Sequence, residues 1–260
     1  MKYKFPHLLI CSYNLYWELF VKENRIKLQN ISDVLIQKYK NNTLSNIKLT
    51  NDFFEPQIFC FQEVVNYTEI IKLFPSNYKN TKNKSKNEKM LTIFDEKWFN
   101  LIDYKSGEFE QGRPFIILLL EDKINKYYFL LINIHSGHKK NTSTSIFEPL
   151  QKKINSFPKI NLDKVTRIII SGDFNRDIKI EIKDKLFKYQ LFIGNKIYNF
   201  KFFNNTKSTC CTIYGNTLNK NYDHIIESNS KPLLTYNLNL QPWYKYPSSD
   251  HVLVLAIIKN

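Results

Sequence analysis

The 260-residue chain predicts an α/β fold with parallel and antiparallel strand pairs, and three features carry that expectation. An apolar run at 8–14, a helical stretch and a second apolar run at 57–62 give the pattern of a βαβ unit. Short apolar runs at 90–94, 98–104, 115–120 and 127–133, joined by turn-like segments such as EDKINK, predict a mainly antiparallel meander. A third buried strand at 167–171 runs into a sharp SGDFN turn.

The elements follow in order. Leu8 to Asn14 has the continuous apolar character of a strand covered on both faces. After it, Leu28, Ile31, Leu35 and Tyr39 share one helical face. Gln57 to Gln62, QIFCFQ, is the next buried strand. Lys79 to Lys89 carries five lysines among Asn and Ser and is expected to form a solvated loop that interrupts the sheet. Ser143 to Phe157 is a helical region with Ile146, Phe147, Leu150 and Ile154 facing inward, in which Pro149 marks a kink or the first turn. The last third is weakly patterned until the strands expected at 222–226 and 252–258.

The composition bounds what such a chain can be. Hydrophobic residues make up 43% and aromatic residues 15%, enough for a large core, and no Pro/Gly/Ser-rich linker divides residues 1–260, so one domain is expected. Lys and Arg exceed Asp and Glu by 38 − 24 = 14, a field that favours polyanions, although an AT-rich genome also produces a Lys-, Asn- and Ile-heavy chain. The first residues, MKYKFPHLLICSYN, lack the cleavage site of a signal peptide, and the apolar runs are too short to span a bilayer. An intracellular monomer without a membrane span is therefore expected. Cys11, Cys60, Cys210 and Cys211 show neither CxxC nor Cys/His zinc spacing, so no disulfide is expected.

Polar residues suited to metal or phosphate chemistry recur where apolar strands end. They are SYN at 12–14, QE at 62–63, NIHSGH at 133–138, SGDFN at 171–175, YDH at 222–224 and SDH at 249–251. Strand ends let a rigid scaffold hold such groups convergently. Taken singly, each has a plain structural explanation: Glu63 as a helix-starting acid, Asp173 serving its own turn, Asn14 closing another, His135 as a satisfied strand-end histidine, Asp223 paired with a lysine, Asp250 and His251 as a polar turn.

In this order, however, the set resembles the endonuclease/exonuclease/phosphatase superfamily, and the resemblance runs from Asn14 to His251 with SGDFN and the C-terminal SDH as its most specific parts. It implies a four-layer α/β/β/α sandwich and a metal-dependent phosphoric ester hydrolase using Mg²⁺, with Mn²⁺ a possible substitute. It also implies roles for individual residues. Glu63 matches the metal-binding glutamate, Asn14 the strand-one asparagine that arranges metal and phosphate, and Asp250 with His251 the terminal pair, Asp250 approaching the metal. Asp173 matches the aspartate that orients or activates water, Asn175 an amide on the phosphate, and Asp223 the carboxylate that orients the histidine. His135 matches a histidine that contacts the phosphate or protonates the leaving oxygen. Which of Asp173 and His251 removes the water proton is left open.

Arg113 in QGRPF, and Lys139 and Lys140 beyond HSGH, are candidate contacts to a phosphate or nucleic-acid backbone, with ordinary surface positions as the alternative. His138 and His224 are expected as polar loop or strand residues, and Arg176 and Asp177 as a local surface pair. His135 departs from the abasic-site endonuclease branch, and the positive charge favours nucleic acid, so a DNA or RNA phosphodiesterase is expected. A phosphomonoesterase on inositol phosphates or phosphoinositides and a noncatalytic nucleic-acid-binding module are the alternatives.

Overall fold

The computed structural model describes residues 7–15, 33–83, 88–110, 112–137, 146–176, 190–200, 209–210, 220–228, 234–238, 249 and 251–259. In chain order the elements are β1 (His7–Asn14), α1 (Asp33–Phe54), β2 (Ile58–Gln62), α2 (Tyr67–Ile71), β3 (Tyr78–Lys82), β4 (Leu91–Asp95), β5 (Phe99–Glu110), β6 (Arg113–Asp122) and β7 (Tyr128–His135). There follow α3 (Phe147–Ile154), α4 (Lys159–Leu162), β8 (Val165–Asp173), β9 (Gln190–Ile193), β10 (Lys196–Asn199), β11 (Asp223–Glu227), β12 (Leu234–Leu238) and β13 (Leu253–Lys259).

Two mixed, mainly antiparallel sheets form the centre, in the orders β12-β13-β1-β2-β4-β3 and β11-β8-β7-β6-β5, with a separate β9–β10 hairpin. Each sheet has one parallel pair, β1–β2 and β7–β8, and antiparallel pairs elsewhere. Ile10, Ile58, Phe94, Ile116, Leu118, Leu131, Ile169 and Val254 belong to a core between the sheets. On the far side of the first sheet Cys11, Phe59, Phe61 and Leu255 cluster with Ile47 of α1 and Ile70 of α2. On the far side of the second, Ile117, Leu130, Ile132 and Ile168 cluster with Leu150 and Ile154 of α3 and Leu162 of α4. The layers are therefore α/β/β/α. Burial of both sheet faces explains why these strands read as unbroken apolar runs.

The differences from the expected pattern are local. Tyr78–Lys82 is an edge strand on β4, not part of a loop. One inward residue, the buried Thr81, satisfies its core-facing side while Lys79, Asn80 and Lys82 face solvent, so a polar composition suffices at an edge. Helix α1 ends at Phe54, well past Tyr39; Tyr39 is buried, and Leu28 and Ile31 lie outside the described residues. Pro149 is the third residue of α3, in the first turn, where its missing N–H costs nothing. Among the described residues, no helix is long and apolar enough to cross a membrane.

Cys11 and Cys60 are buried free thiols. Cys210 is disulfide-bonded, its partner outside the described residues, which corrects the expectation of no disulfide. That expectation rested on the absence of CxxC spacing, which is blind to bonds closed by other arrangements.

A polar pin joins the sheets beneath the strand ends. Gln62 Nε2 donates to Asn133 Oδ1 at 2.7 Å, and Asn133 Nδ2 donates to Leu91 O at 3.2 Å and Thr92 Oγ1 at 3.1 Å. All of these side chains are fully buried. Removing one member strands the others, and leaving buried polar groups unpaired costs about 1–3 kcal/mol apiece. Asn133→Leu is therefore expected to lose about 3 kcal/mol in urea unfolding, and the double variant Gln62→Met, Asn133→Leu to recover much of it.

Candidate active site

Strand register assembles the site. Across the second sheet His135 on β7 lies opposite Asp173 on β8, and Asp173 lies opposite Asp223 on β11, so three sequence-distant residues form one row. In the first sheet Asn14 on β1 lies opposite Gln62 on β2, and Glu63 follows directly. Because both parallel pairs end at the same rim, the two rows face each other.

Two backbone features let this happen. Gly172 has φ +144°, and a Cβ built there would lie 2.0 Å from Ile134 O, so only glycine allows β7 and β8 to approach at this level. Glu63 has φ +52° and Asn175 φ +50°. Asparagine tolerates the left-handed region, but for Glu63 it is strain held by the surrounding structure, of a kind that clusters at functional sites.

Asn14 ties the sheets together, with Nδ2 3.0 Å from Glu63 Oε1 and 3.0 Å from Asp173 Oδ2. Asp173 Oδ2 also lies between two imidazoles, 3.5 Å from His135 Nε2 and 3.7 Å from His251 Nε2. Each imidazole has a carboxylate behind it: Asp223 Oδ2 is 2.8 Å from His251 Nδ1, and Glu88 Oε1 is 2.5 Å from His135 Nδ1. Arg113 Nη1 sits 2.6 Å from His135 Nε2 and 3.7 Å from Glu88 Oε2. Asn175 donates its backbone N–H to Asp173 Oδ1 at 2.7 Å and its side-chain amide to Ser136 O at 2.8 Å. Ser249 Oγ donates to Asn14 O and accepts from the His251 N–H, fixing the approach to β13.

The electrostatics follow from burial. Burial pushes Glu63 up to about 7, against the pull of His135. Burial likewise pushes Asp223 up to about 6, with His251 opposing. Burial would also raise Asp173, but His251, His135, the Asn175 N–H and the Asn14 amide hold it below its ordinary value. For His135, burial disfavours the cation, yet Glu88, Asp173 and Glu63 prevail and hold its pKa above the ordinary one. A guanidinium at Nε2 requires that nitrogen as an acceptor, so the Arg113 contact and a proton on Nε2 exclude each other.

A cation fits this donor set. Glu63 Oε2 is buried without a hydrogen-bond partner, an arrangement a hard cation would relieve. Asp173, Asp223 and His251 also offer ligand atoms that all lie within 4.8 Å of one another.

The structure thus brings together Asn14, Glu63, Arg113, His135, Asp173, Asn175, Asp223 and His251, while Asp250, Lys139, Lys140, His138 and Asp177 lie outside the described residues. His224 donates from Nε2 to Asn221 O and packs edge-on to Phe174, away from these contacts. Two neighbours were not foreseen. Glu88 lies in a lysine-rich stretch where a lone acid reads as a surface partner, and only its 5% exposure reveals it as internal. Cys210 Sγ is 3.4 Å from His251 Nε2, a proximity with no local sequence signal.

No protein-family model matches the chain, and neither does any curated protein sequence. Solved structures do. A humanized TDP2 from D. rerio superposes with a TM-score of 0.67 at 14% identity, covering 98% of this chain and 100% of the other. An endonuclease/exonuclease/phosphatase family protein from Bacteroides thetaiotaomicron gives 0.66 at 17%, covering 96% and 94%. D. rerio TDP2 complexed with a single strand DNA product gives 0.63 at 14%, covering 96% and 98%. From end to end, the chain has the fold of the endonuclease/exonuclease/phosphatase proteins.

Proposed function

We propose that the chain hydrolyses phosphodiester bonds in nucleic acid and uses Mg²⁺ to do so. The observation that carries this reading is Asp173 Oδ2 set between two imidazoles, each backed by its own carboxylate, next to a buried Glu63 oxygen without a partner. A surface that only bound nucleic acid would gain nothing from four buried carboxylates, which repel phosphate. In a chain with 14 excess positive charges they make sense as the seat of a cation.

Mg²⁺, or Mn²⁺ in its place, would be held by Glu63 and Asn14 with Asp250 as a further ligand, and would neutralise charge on nonbridging phosphate oxygens. The chain's own groups do the rest. Asp173, anionic and already accepting from Asn14 and Asn175, orients the attacking water. Asp223 keeps the proton of His251 on Nδ1 and leaves Nε2 facing Asp173 and the water. The Asn175 amide has a second hydrogen for a phosphate oxygen besides the one given to Ser136 O. An arriving phosphate draws Arg113 to itself bidentately, and His135, freed at Nε2, takes a proton that it can pass to the departing oxygen. Lys139 and Lys140 are assigned to the flanking backbone on the sequence alone.

The test is Mg²⁺-dependent product release from labelled single-stranded DNA, duplex DNA, RNA, 5′-tyrosyl DNA and inositol phosphates. Glu63→Gln and His251→Ala are each expected to lower turnover of the preferred nucleic acid by about 10³-fold. Equal product from wild type and both variants would reject the site, phosphate release from inositol phosphates alone would make it a phosphomonoesterase, and binding without turnover a noncatalytic module. Glu63→Gln carries a second signature. With a folded value near 7 against an ordinary 4.5, Glu63 is harmless below 4.5, and the cost of its ionisation in the fold builds as pH rises from 4.5 to 7 and is fully present above 7. In chelator at pH 8.5 or so the Gln variant should therefore be more stable than wild type by about 3 kcal/mol, and at pH 4 the gain should vanish.

A further inference from the structure

Resting on the phosphodiesterase reading above, we propose that Tyr67, Lys82 and Lys89 form a seat for one nucleotide of a single strand beside the scissile bond. The base stacks on the tyrosine ring and the two ammonium groups take the flanking phosphates.

The half-exposed ring of Tyr67 opens α2, four residues after Glu63. Lys82 Nζ lies 4.9 Å from its centroid and Lys89 Nζ 5.8 Å. Both lysines are exposed, and among the described residues neither has a carboxylate partner. The nearby acids are engaged elsewhere: Glu69 pairs with Lys40 at 2.7 Å, and Glu88 turns inward to His135. Two cations around one ring repel each other, and a polyanion relieves that repulsion while the ring gains a base.

The platform is also held in register with the chemistry. Tyr67 Oη donates to Asn83 Oδ1 at 3.1 Å, and Asn83 Nδ2 donates to Glu88 O at 2.7 Å. The Glu88 side chain then reaches His135. Lys89 O accepts from the N–H of Val64, the residue next to Glu63, at 2.8 Å. The ring is thus linked through Asn83 and Glu88 to the histidine, and the Lys89 backbone is linked to the residue beside the carboxylate, which places the seat next to the reacting phosphate. Stacking on an aromatic face tolerates any base, and an extruded base needs a single strand, so the seat selects unpaired DNA or RNA without strong sequence preference.

The test compares kcat/KM on single-stranded DNA and RNA oligonucleotides with that on bis(p-nitrophenyl) phosphate, which is too small to span the seat. Tyr67→Ala should lower the ratio of oligonucleotide to small-diester efficiency about tenfold, and Tyr67→Phe should restore most of it. Lys82→Gln with Lys89→Gln should reduce the slope of log KM against log salt for single-stranded oligonucleotides by about 1.4. Anisotropy of a labelled oligonucleotide in EDTA gives the same comparison without turnover and keeps the lysine variants informative if Tyr67→Ala folds poorly. An unchanged ratio and an unchanged salt slope overturn the seat while leaving the phosphodiesterase reading intact. A wild-type protein that cleaves neither diester overturns that reading itself, and a duplex bound and cut as well as a single strand overturns the seat's selectivity.

Discussion

Asp173→Asn is expected to leave the fold standing and to lower phosphodiester hydrolysis by about 10³-fold or more. The substitution keeps the shape of the side chain but removes the charge that both imidazoles face and on which Asn14 donates. Whichever way the amide turns, either its N–H groups meet the Asn14 amide or its oxygen is too weak a base for water. Circular dichroism and kcat on the preferred substrate check this, and a variant with a tenth of wild-type activity or more would remove Asp173 from the chemistry. Stability supplies a second readout. Asp173 is held below its ordinary value, so its charge stabilises the fold above the ordinary carboxylate range, and that contribution is lost as pH falls through the lowered value. The Asn variant should show a flatter stability profile on the acid side.

Gly172→Ala should be the most damaging small substitution in the core of the second sheet. The new methyl would sit 2.0 Å from a backbone carbonyl oxygen at φ +144°, so it meets a strained conformation and a neighbour that cannot rotate away. Separating β7 from β8 and holding alanine in that region together cost about 4 kcal/mol. For a chain of this size that is a fall of about 10 °C in Tm, readable by calorimetry. Activity should fall as well, because the same separation moves His135 away from Asp173. An alanine variant as stable as wild type would contradict the close approach of these strands.

The parts of the fold that were legible in the sequence are those whose strands are covered on both sides. Cys60 and Phe61, or Leu118 and Leu119, face opposite buried layers, so no polar alternation breaks the run. The site was legible for a related reason: Asn14, Glu63, His135, Asp173 and Asp223 stand where such runs stop. What was not legible depends on tertiary contact. Thr81 needs only one buried position to make an edge strand out of lysines, Glu88 is internal where His135 Nδ1 donates to it and Arg113 lies beside it, and Gln190–Ile193 pairs with its hairpin partner through four residues, too few to show a period.

Part of the chain's positive charge has a second use besides holding a ligand. Tyr78–Lys82 is the outermost strand of its sheet. Lys79, Asn80 and Lys82 on it are all exposed. Another copy of the chain trying to extend the sheet there would have to lay ammonium groups against ammonium groups, so this border discourages self-association of the kind that leads to fibres.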